Sequence, residues 1–518
     1  MAQLEAIEDA ALGAAGGRAL RLLTWIQLHP LVVCLPVQAT LLFVDLGRFP
    51  VWGDEQASLD RAAGVVPPGT VHPELYFLLL RGWMDAFCGG PCIAGARAFS
   101  ALIAVAATIA LDRCWLRELD RRTRTWVLIL WTLSPALLLY GRMARSYSVQ
   151  LLLALLALSA GSRYARRATL PSLLAYAVPS IALLHIHYLP GLAIVAGVAI
   201  AMASTALARR RPAALSSALA PLLVIAAASV PWVAGMTSAV GQVAHHSGYH
   251  VIGPLADAGL ALAFLAVSFT AGEALPSWML AALAVLAPLV AIALLRGMRE
   301  RPSWGRFVAP AAGLGFVGAY QWVSYAFVAG RLLFLLPFYL MLLVHGARPA
   351  VRSGAALCAA VALLSLGGIG AYFAQSGFLN KAYVVPTQAI ADAIRDRSRG
   401  TPATVIVDAY GSDLSAIVPR LPPGTRTLWV ADSAGARRAA ALAAEPGLHQ
   451  VWFIHGAHDV SPQQWNALVV GAFTGRFAIR RTGYVPYSTL DRWLMHLAGW
   501  PRRPQHAIEL VEMNALAQ

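Results

Sequence analysis

The sequence has little charge and almost no lysine. Only 13% of the 518 residues are charged and 58% are hydrophobic, and the mean hydropathy is +0.62. About a quarter of the residues in a soluble domain are usually charged. The composition therefore excludes an ordinary soluble enzyme and predicts a polytopic membrane protein. Among 40 basic residues the one lysine is Lys381, and the first question about the arginines is which side of the bilayer they occupy.

The chain also lacks three patterns that would point to other classes. No repeat of 20–50 residues is evident, which gives no support to a repeat-built transporter. The first apolar run is too long for a removable signal peptide and has no small-residue cleavage site, so we expect it to be retained. The tetrapeptide at 410–413 has neither a GxGxxG nor a P-loop pattern, and no nucleotide site is assigned to it.

Eleven apolar runs are long enough to cross a bilayer, which takes about 20 residues. A further apolar stretch at 257–272 would place the basic cluster of 296–306 outside if it were a span, so we predict a helix lying along the outer face. The predicted spans are 19–45, 95–112, 125–140, 147–162, 170–187, 189–208, 213–235, 277–295, 307–328, 331–347 and 353–375.

Alternate connections between these runs are basic, and this pattern sets the orientation. The positive-inside rule places such connections in the cytoplasm. The N-terminus is then cytoplasmic and the C-terminal region lies outside. The arginines concerned are Arg18 and Arg21; Arg113, Arg117, Arg121, Arg122 and Arg124; Arg163, Arg166 and Arg167; Arg209, Arg210 and Arg211; Arg296, Arg299, Arg301 and Arg306; and Arg348 and Arg352.

After Ala374 the composition becomes that of a small soluble α/β domain. Strands are predicted at 404–408, 427–431, 450–455 and 476–481, with helices at 436–445 and 463–473. The chain thus divides into a membrane domain (1–375) with external loops at 46–94 and 236–276, a linker helix (376–400) and an extracytoplasmic α/β domain (401–518). We expect the last domain to cover the site or to bind an acceptor.

The longest early external loop, 46–94, has the densest set of polar residues. Asp54 and Glu55 are adjacent carboxylates just beyond a span, where they can serve as a general base and its partner. The alternative is that Asp54 caps a helix beginning near Gln56.

Three arginines stand on the side where the charge rule does not expect them. Arg142 and Arg145 lie in the second external hairpin, and Arg331 begins a later span at its outer end. Arginine binds phosphate through a planar fork of donors, so these residues suit a phosphate-bearing ligand. The alternative is that one of them pairs with Asp54 or Glu74.

Several segments in this order resemble the bacterial GT-C glycosyltransferases, which are related to protein O-mannosyltransferases (glycosyltransferase family 39), aminoarabinose transferase and rhizobial galacturonosyltransferases. The resemblance covers about residues 18–350 and implies a GT-C fold. It also implies inverting transfer of a sugar from a polyprenyl-phosphate donor to an acceptor hydroxyl on the outer face of the membrane. The segments are 52–55 (WGDE), 72–79 (HPELYFLL), 97–104, 142–147 (RMARSY) and 331–337.

The resemblance also implies roles for individual residues. Asp54 matches the catalytic acidic residue, and Glu55 would orient the acceptor, the base or a bound cation; no cofactor is otherwise required. The sequence departs from many relatives at Glu74, where a proline is common, and at Leu332, where a tyrosine is common. The donor phosphate and sugar are assigned to His72, Tyr76, Arg142, Arg145, Tyr147 and Arg331, and the acceptor candidates are Glu74, Arg81 and His187.

Cysteine and histidine add little to this prediction. Cys88 and Cys92 lie in the external loop and their spacing permits a disulfide. The histidines at 245, 246 and 250 do not have a spacing typical of zinc sites, and no metal site is predicted. The competing functions are a lipid or polysaccharide transporter, or flippase, and a non-catalytic lipid-binding scaffold. The expected protein lies in a bacterial plasma membrane, with a cell-envelope lipid (lipid A or core), polysaccharide or protein as acceptor. The sequence does not identify the sugar.

Overall fold

The computed structural model describes residues 29–65, 73–208, 219–229, 254–321, 327–398, 402–408, 414–456, 460–497 and 504–516. Predicted features that lie outside these ranges include His72, the histidines at 245–250, most of the span 213–235 and the N-terminal part of the span 19–45.

The first part of the described chain is a helical membrane domain. Within the described ranges, six helices are long and apolar enough to cross a membrane: Ile93–Glu118, Tyr147–Arg166, Tyr188–Ala208, Ser277–Glu300, Ala329–Ala347 and Arg352–Phe373. The helices are α1 (Pro30–Phe43), α2 (Gly53–Ala62), α3 (Leu75–Cys88), α4 (Ile93–Cys114), α5 (Arg121–Thr132), α6 (Pro135–Arg142), α7 (Tyr147–Arg166), α8 (Leu170–Ile186), α9 (Tyr188–Ala208), α10 (Leu219–Ser229), α11 (Pro254–Thr270), α12 (Ser277–Glu300), α13 (Pro302–Gln321), α14 (Leu336–Ala347) and α15 (Arg352–Phe373).

The apolar run predicted as one span at 125–140 is two helices. α5 ends at Thr132, and α6 begins at Pro135. Ser134 caps the second helix, its Oγ accepting a hydrogen bond from the Leu137 N–H at 3.3 Å. Because proline has no N–H to donate and fits the first turn of a helix, the Ser-Pro pair starts a new helix here.

Two glycines allow membrane helices α12 and α14 to meet backbone to backbone. A Cβ added to Gly346 would lie 1.8 Å from the Ala293 carbonyl oxygen, and one added to Gly297 would lie 2.2 Å from the Leu342 carbonyl oxygen. In a bilayer, helices associate largely through such close packing of small residues. This pair of helices therefore has no room for any larger side chain at either position.

The C-terminal domain has a five-stranded sheet in the order β2-β1-β3-β5-β4. β1 is parallel to β2 and β3, whereas β5 is antiparallel to β3 and β4. The strand predicted at 404–408 is confirmed, three others lie within a few residues of their predicted positions, and β5 was not predicted. The elements are α16 (Thr387–Arg397), β1 (Thr404–Asp408), β2 (Arg426–Val430), α17 (Ser433–Ala441), β3 (Gln450–Gly456), α18 (Val460–Phe473), β4 (Phe477–Pro486), α19 (Thr489–Leu497) and β5 (His506–Ala515).

Helices cover both faces of this sheet. Alternate residues of β1 point to opposite faces, as in any strand. Val405 and Val407 pack with α16, which lies within the predicted linker, and with a 3₁₀ helix at Leu414–Arg420. Ile406 faces α17 and α18. The segment between α15 and the sheet also attaches to the domain through Lys381, whose Nζ is 2.8 Å from Asp491 Oδ2.

Candidate active site

The site is built around the short helix α2 in the first external loop. The helix begins at Gly53, and Trp52 before it has extended backbone angles. Glu55 stabilises this start, since its Oε2 accepts a hydrogen bond from the Trp52 N–H at 3.2 Å. Asp54 lies inside the first turn, so it does not cap a helix beginning near Gln56. Its carboxylate interacts favourably with the positive N-terminal end of the helix dipole.

Glu55 is buried, and both of its carboxylate oxygens accept hydrogen bonds from Arg97 of α4. The guanidinium donates from Nε to Glu55 Oε1 at 2.9 Å and from Nη2 to Oε2 at 2.7 Å. The Ala144 N–H donates to the same Oε1 at 2.8 Å. Burial acts to raise the pKa of Glu55, but Arg97 and these backbone donors lower it below its usual range. The carboxylate therefore stays ionised and is already surrounded by donors, which suits a residue that organises the loop.

Arg97 extends this organisation to the chain before α2. Its Nη1 donates to the carbonyl oxygens of Leu46 at 2.8 Å and Phe49 at 3.1 Å, and its Nη2 donates to Pro50 at 2.7 Å. The sequence prediction gave Arg97 no role of its own. A charged residue within an otherwise apolar span is the signal that points to it, since such residues are costly unless they are used.

Asp54 contacts Arg145, and the pair combines a partly exposed carboxylate with a buried cation. Arg145 Nη2 is 3.2 Å from Asp54 Oδ2, and the Asp54 side chain is 36% exposed. Arg145 Nη1 also donates to the Asp54 carbonyl oxygen and to Ser58 Oγ, both at 3.1 Å. Burial opposes the charge of Arg145, but Asp54 and the hydroxyls of Tyr147 and Tyr76 raise its pKa above the usual value. The pairing alternative noted for the external arginines is thus the arrangement observed for Arg145.

Arg142 lies apart from this pair. Only 2% exposed, it donates to the carbonyl oxygens of Leu41 at 3.1 Å and Val44 at 2.5 Å, at the end of α1. Its guanidinium also lies 4.9–5.5 Å from three aromatic ring centres, those of Phe49, Tyr372 and Phe373. A planar cation is favourable over such rings. Arg142 and Arg145 therefore do not form one phosphate clamp in this structure.

One cleft lies at the start of α2, and a second lies beside Arg145. The first is lined by five aromatic side chains, three charged ones and four other residues. The charged residues are Glu55, Arg97 and Arg142, and the aromatic ones are Phe49, Trp52, Tyr372, Phe378 and Tyr383. The other is lined by Tyr76, Phe77, Arg145, Ser146, Ile186 and His187. Since Asp54 is paired with Arg145 at the second cleft, a group bound there would lie close to the exposed carboxylate.

Of the remaining predicted site residues, Tyr76 and His187 line the second cleft, whereas Glu74, Arg81, Tyr147 and Arg331 are in neither lining. Tyr147 interacts with Arg145 and, electrostatically, with Arg331. Glu74 forms an ion pair of 3.6 Å with Arg61. Arg81 Nε donates to the Ala62 carbonyl oxygen at the end of α2, at 2.6 Å. His187 Nδ1 accepts a hydrogen bond of 3.3 Å from the Leu189 N–H.

Cys88 and Cys92 are joined by a disulfide in the structure. The bridge lies between the end of α3 and the start of α4. His72 lies outside the described residues.

The fold has known counterparts among solved structures. ArnT from Cupriavidus metallidurans bound to undecaprenyl phosphate matches with a TM-score of 0.53 and 14% identity, over 93% of this chain and 97% of that one. The apo state of the same protein gives 0.50 and 13%, over the same shares. The oligosaccharyltransferase of Archaeoglobus fulgidus, in complex with zinc and sulfate, gives 0.48 and 11%, over 88% of this chain and 72% of that one.

No known family and no curated protein matches the chain by sequence. At 14% identity the match to ArnT establishes the fold. The chain therefore shares the fold of ArnT, and the sequence resemblance to the GT-C glycosyltransferases predicted such a fold. It is a multi-pass membrane protein with a small C-terminal α/β sheet domain.

Proposed function

We propose that the chain is an inverting glycosyltransferase that moves a sugar from a polyprenyl-phosphate donor to a hydroxyl of a cell-envelope acceptor. The observation that carries this proposal is the contact of the half-exposed Asp54 with Arg145 beside a cleft. A base and a phosphate-binding cation are the two groups that such a transfer needs. The similar structure of ArnT, which holds undecaprenyl phosphate, supports a lipid phosphate as the leaving group.

In this mechanism Asp54 removes the proton from the acceptor hydroxyl as its oxygen attacks the sugar carbon. The bond from that carbon to the phosphate oxygen breaks, and Arg145 stabilises the charge that develops on the departing phosphate. The donor phosphate competes with Asp54 for the same guanidinium. Donor binding therefore frees the carboxylate when it is needed as a base. Glu55 has a positioning role, because Arg97 and backbone donors already occupy its oxygens.

The other predicted residues take roles around this pair. We assign Tyr76, Tyr147 and Arg331, with His72 as a further candidate, to the donor, and Glu74, Arg81 and His187 to the acceptor side. Arg142 is assigned to the aromatic cleft, where it would meet a sugar or phosphate that enters there. We propose no required cofactor. The alternative of a divalent cation beside Glu55 does not fit this site, because the Arg97 guanidinium and backbone donors already occupy both carboxylate oxygens.

The proposed setting is a bacterial plasma membrane crossed by eleven spans, of which 125–140 would be the broken pair α5 and α6. The N-terminus is cytoplasmic, and the active site and the α/β domain face outward. The membrane domain is 1–375, the linker 376–400 and the α/β domain 401–518. The acceptor is a lipid, a polysaccharide or a protein of the envelope, and the sugar is a hexose or a pentose.

The test is transfer of radiolabelled sugar from a panel of polyprenyl-phosphate sugars to cell-envelope extract. We expect Asp54→Asn to lose at least about 10²-fold in rate, which is the usual contribution of a general base. Asp85→Asn, which changes an exposed carboxylate on α3, is the matched control and should keep full activity. Full activity of Asp54→Asn would contradict the base assignment. No transfer by wild type from any donor would contradict the proposed function and favour a transporter.

A further inference from the structure

The α/β domain makes a polar contact with the catalytic helix α2, 364 residues away in sequence. Arg420 Nη1 donates to Gln56 Oε1 at 3.2 Å. Gln56 is two residues after Asp54, on the helix that carries the proposed base. The contact therefore connects the sheet domain to the backbone turn on which Asp54 lies.

Arg420 is held firmly on the domain side. It ends the 3₁₀ helix Leu414–Arg420, in which Leu414 and Ile417 are fully buried against the sheet. Its Nη1 also donates to the Ala416 carbonyl oxygen within the same helix. The guanidinium is thus fixed relative to the sheet before it reaches α2, and little side-chain entropy remains to be lost in the contact.

Gln56 is equally constrained on the membrane side. It is 8% exposed, and its Nε2 donates to Asp60 Oδ1, one turn further along α2, at 2.8 Å. Both ends of the amide are therefore used. Burial and the charge of Arg97 lower the pKa of Arg420, whereas Asp60 and Glu55 act in the opposite direction. Arg420 thus lies within the electrostatic environment of the site.

We propose that Arg420 is a positioning residue, through which the C-terminal domain holds α2 and hence Asp54 in its working orientation. The inference rests on the proposed function for its kinetic consequence, but its structural content is independent of the reaction. A rotation of α2 by a fraction of a turn would move the Asp54 carboxylate away from the second cleft, where it has to reach the acceptor hydroxyl. The sheet domain would then be required for the chemical step as well as for any acceptor binding.

A double-mutant cycle tests the contact in the full-length protein. The variants are Arg420→Ala, Gln56→Ala and the two combined, and Arg426→Ala is the control, because Arg426 makes an exposed ion pair with Glu445 on the same domain. A hydrogen bond to a charged group is usually strong enough that each single variant should lose about tenfold or more in kcat. The KM for the donor should stay within about twofold of wild type, since the donor contacts remain.

The double variant should lose no more activity than the worse single variant, because both substitutions remove one interaction. A loss in the double variant equal to the product of the two single losses would show that the residues act independently, and would overturn the proposal. Single variants with wild-type kcat would overturn it as well.

A second measurement separates this inference from the proposed activity. We expect Arg420→Ala to increase the hydrogen-exchange rate of the amides of 53–62 at least about tenfold. Unchanged exchange rates in β1 and β3 would show that the domain remains folded. Unchanged exchange in 53–62 would overturn the inference even if transfer occurs. Absence of transfer by wild type, with faster exchange in Arg420→Ala, would reject the proposed function alone. If Arg420→Ala unfolds the domain, Gln56→Met makes the same exchange test from the other side.

Discussion

Replacement of Arg97 by methionine should loosen the external loop by leaving Glu55 buried without its cation. Arg97 and Glu55 are 5% and 2% exposed, and two direct hydrogen bonds join them. Breaking a buried ion pair on one side typically costs about 3–5 kcal/mol, because the remaining charge is uncompensated. The loop also loses three hydrogen bonds from Arg97 to backbone carbonyls.

Hydrogen exchange on the detergent-purified protein measures this effect. The cost corresponds to an acceleration of roughly 10²- to 5 × 10³-fold for amides of 46–55 in Arg97→Met. Arg48→Met is the matched control, because Arg48 is an exposed arginine of the same loop whose ion pair with Asp45 is on the surface. The double variant Glu55→Gln with Arg97→Met should be less perturbed than Arg97→Met, since no buried charge remains.

The pH dependence of the stability of Arg97→Met should have a sign that follows only from the buried charge of Glu55. In wild type the pKa of Glu55 is lowered, so its stabilisation is present above the unfolded value of about 4.3 and is lost as the pH falls through the folded pKa. Without Arg97 burial dominates and the pKa rises. Arg97→Met should therefore become more stable as the pH falls from 8 to 5. Wild-type exchange in this variant, or a loss of stability toward pH 5, would refute the reasoning.

Three further predictions concern other parts of the protein. Glu273, in the connection before α12, is buried and accepts hydrogen bonds from Tyr140 and Ser268; burial raises its pKa to about 7. The free energy of unfolding should therefore fall as the pH rises from 5 to 8. Glu273→Gln should make the unfolding temperature less dependent on pH over this range. An unchanged pH dependence in this variant would contradict the prediction. Gly346→Val should lower the unfolding temperature by separating α12 from α14, whereas Gly370→Val, where no atom lies within 4 Å of an added Cβ, should not. Arg145→Ala should reduce kcat in the transfer assay at least about 10²-fold, while Arg48→Ala should leave it unchanged. If Arg145→Ala transfers sugar as fast as wild type, Arg145 does not belong to the phosphate site.

The sequence predicted those features that depend on local pattern. Apolar runs located most of the membrane helices, and strand β1 was found at its predicted bounds because its buried run lies between polar segments. The break before Pro135 was missed, since apolarity continues through it. β5 was missed because its place between β3 and β4 is decided by pairing across the sheet.

The site was predictable as a set of residues and not as a geometry. Asp54 and Arg145 are 91 residues apart. Their opposite charges allowed the pairing alternative, but the sequence did not indicate which arginine would pair or whether its partner would be Asp54 or Glu74. The aromatic surroundings of Arg142 come from two segments far apart in the sequence, at Phe49 and at Tyr372 and Phe373, so its separation from Arg145 follows only from packing. Arg97 is 42 residues from Glu55, and the resemblance included Arg97 without saying which carboxylate it would bind.

The central position of β5 also bears on how the protein is made. The sheet cannot close until residues 506–515 insert between β3 and β4, and with the domain outside the membrane, as proposed, those residues must first be exported. The packing of the 3₁₀ helix that carries Arg420 against the sheet is complete only then. In this proposed topology α2 gains its contact with Arg420 only after residues 506–515 have reached the outer side of the membrane.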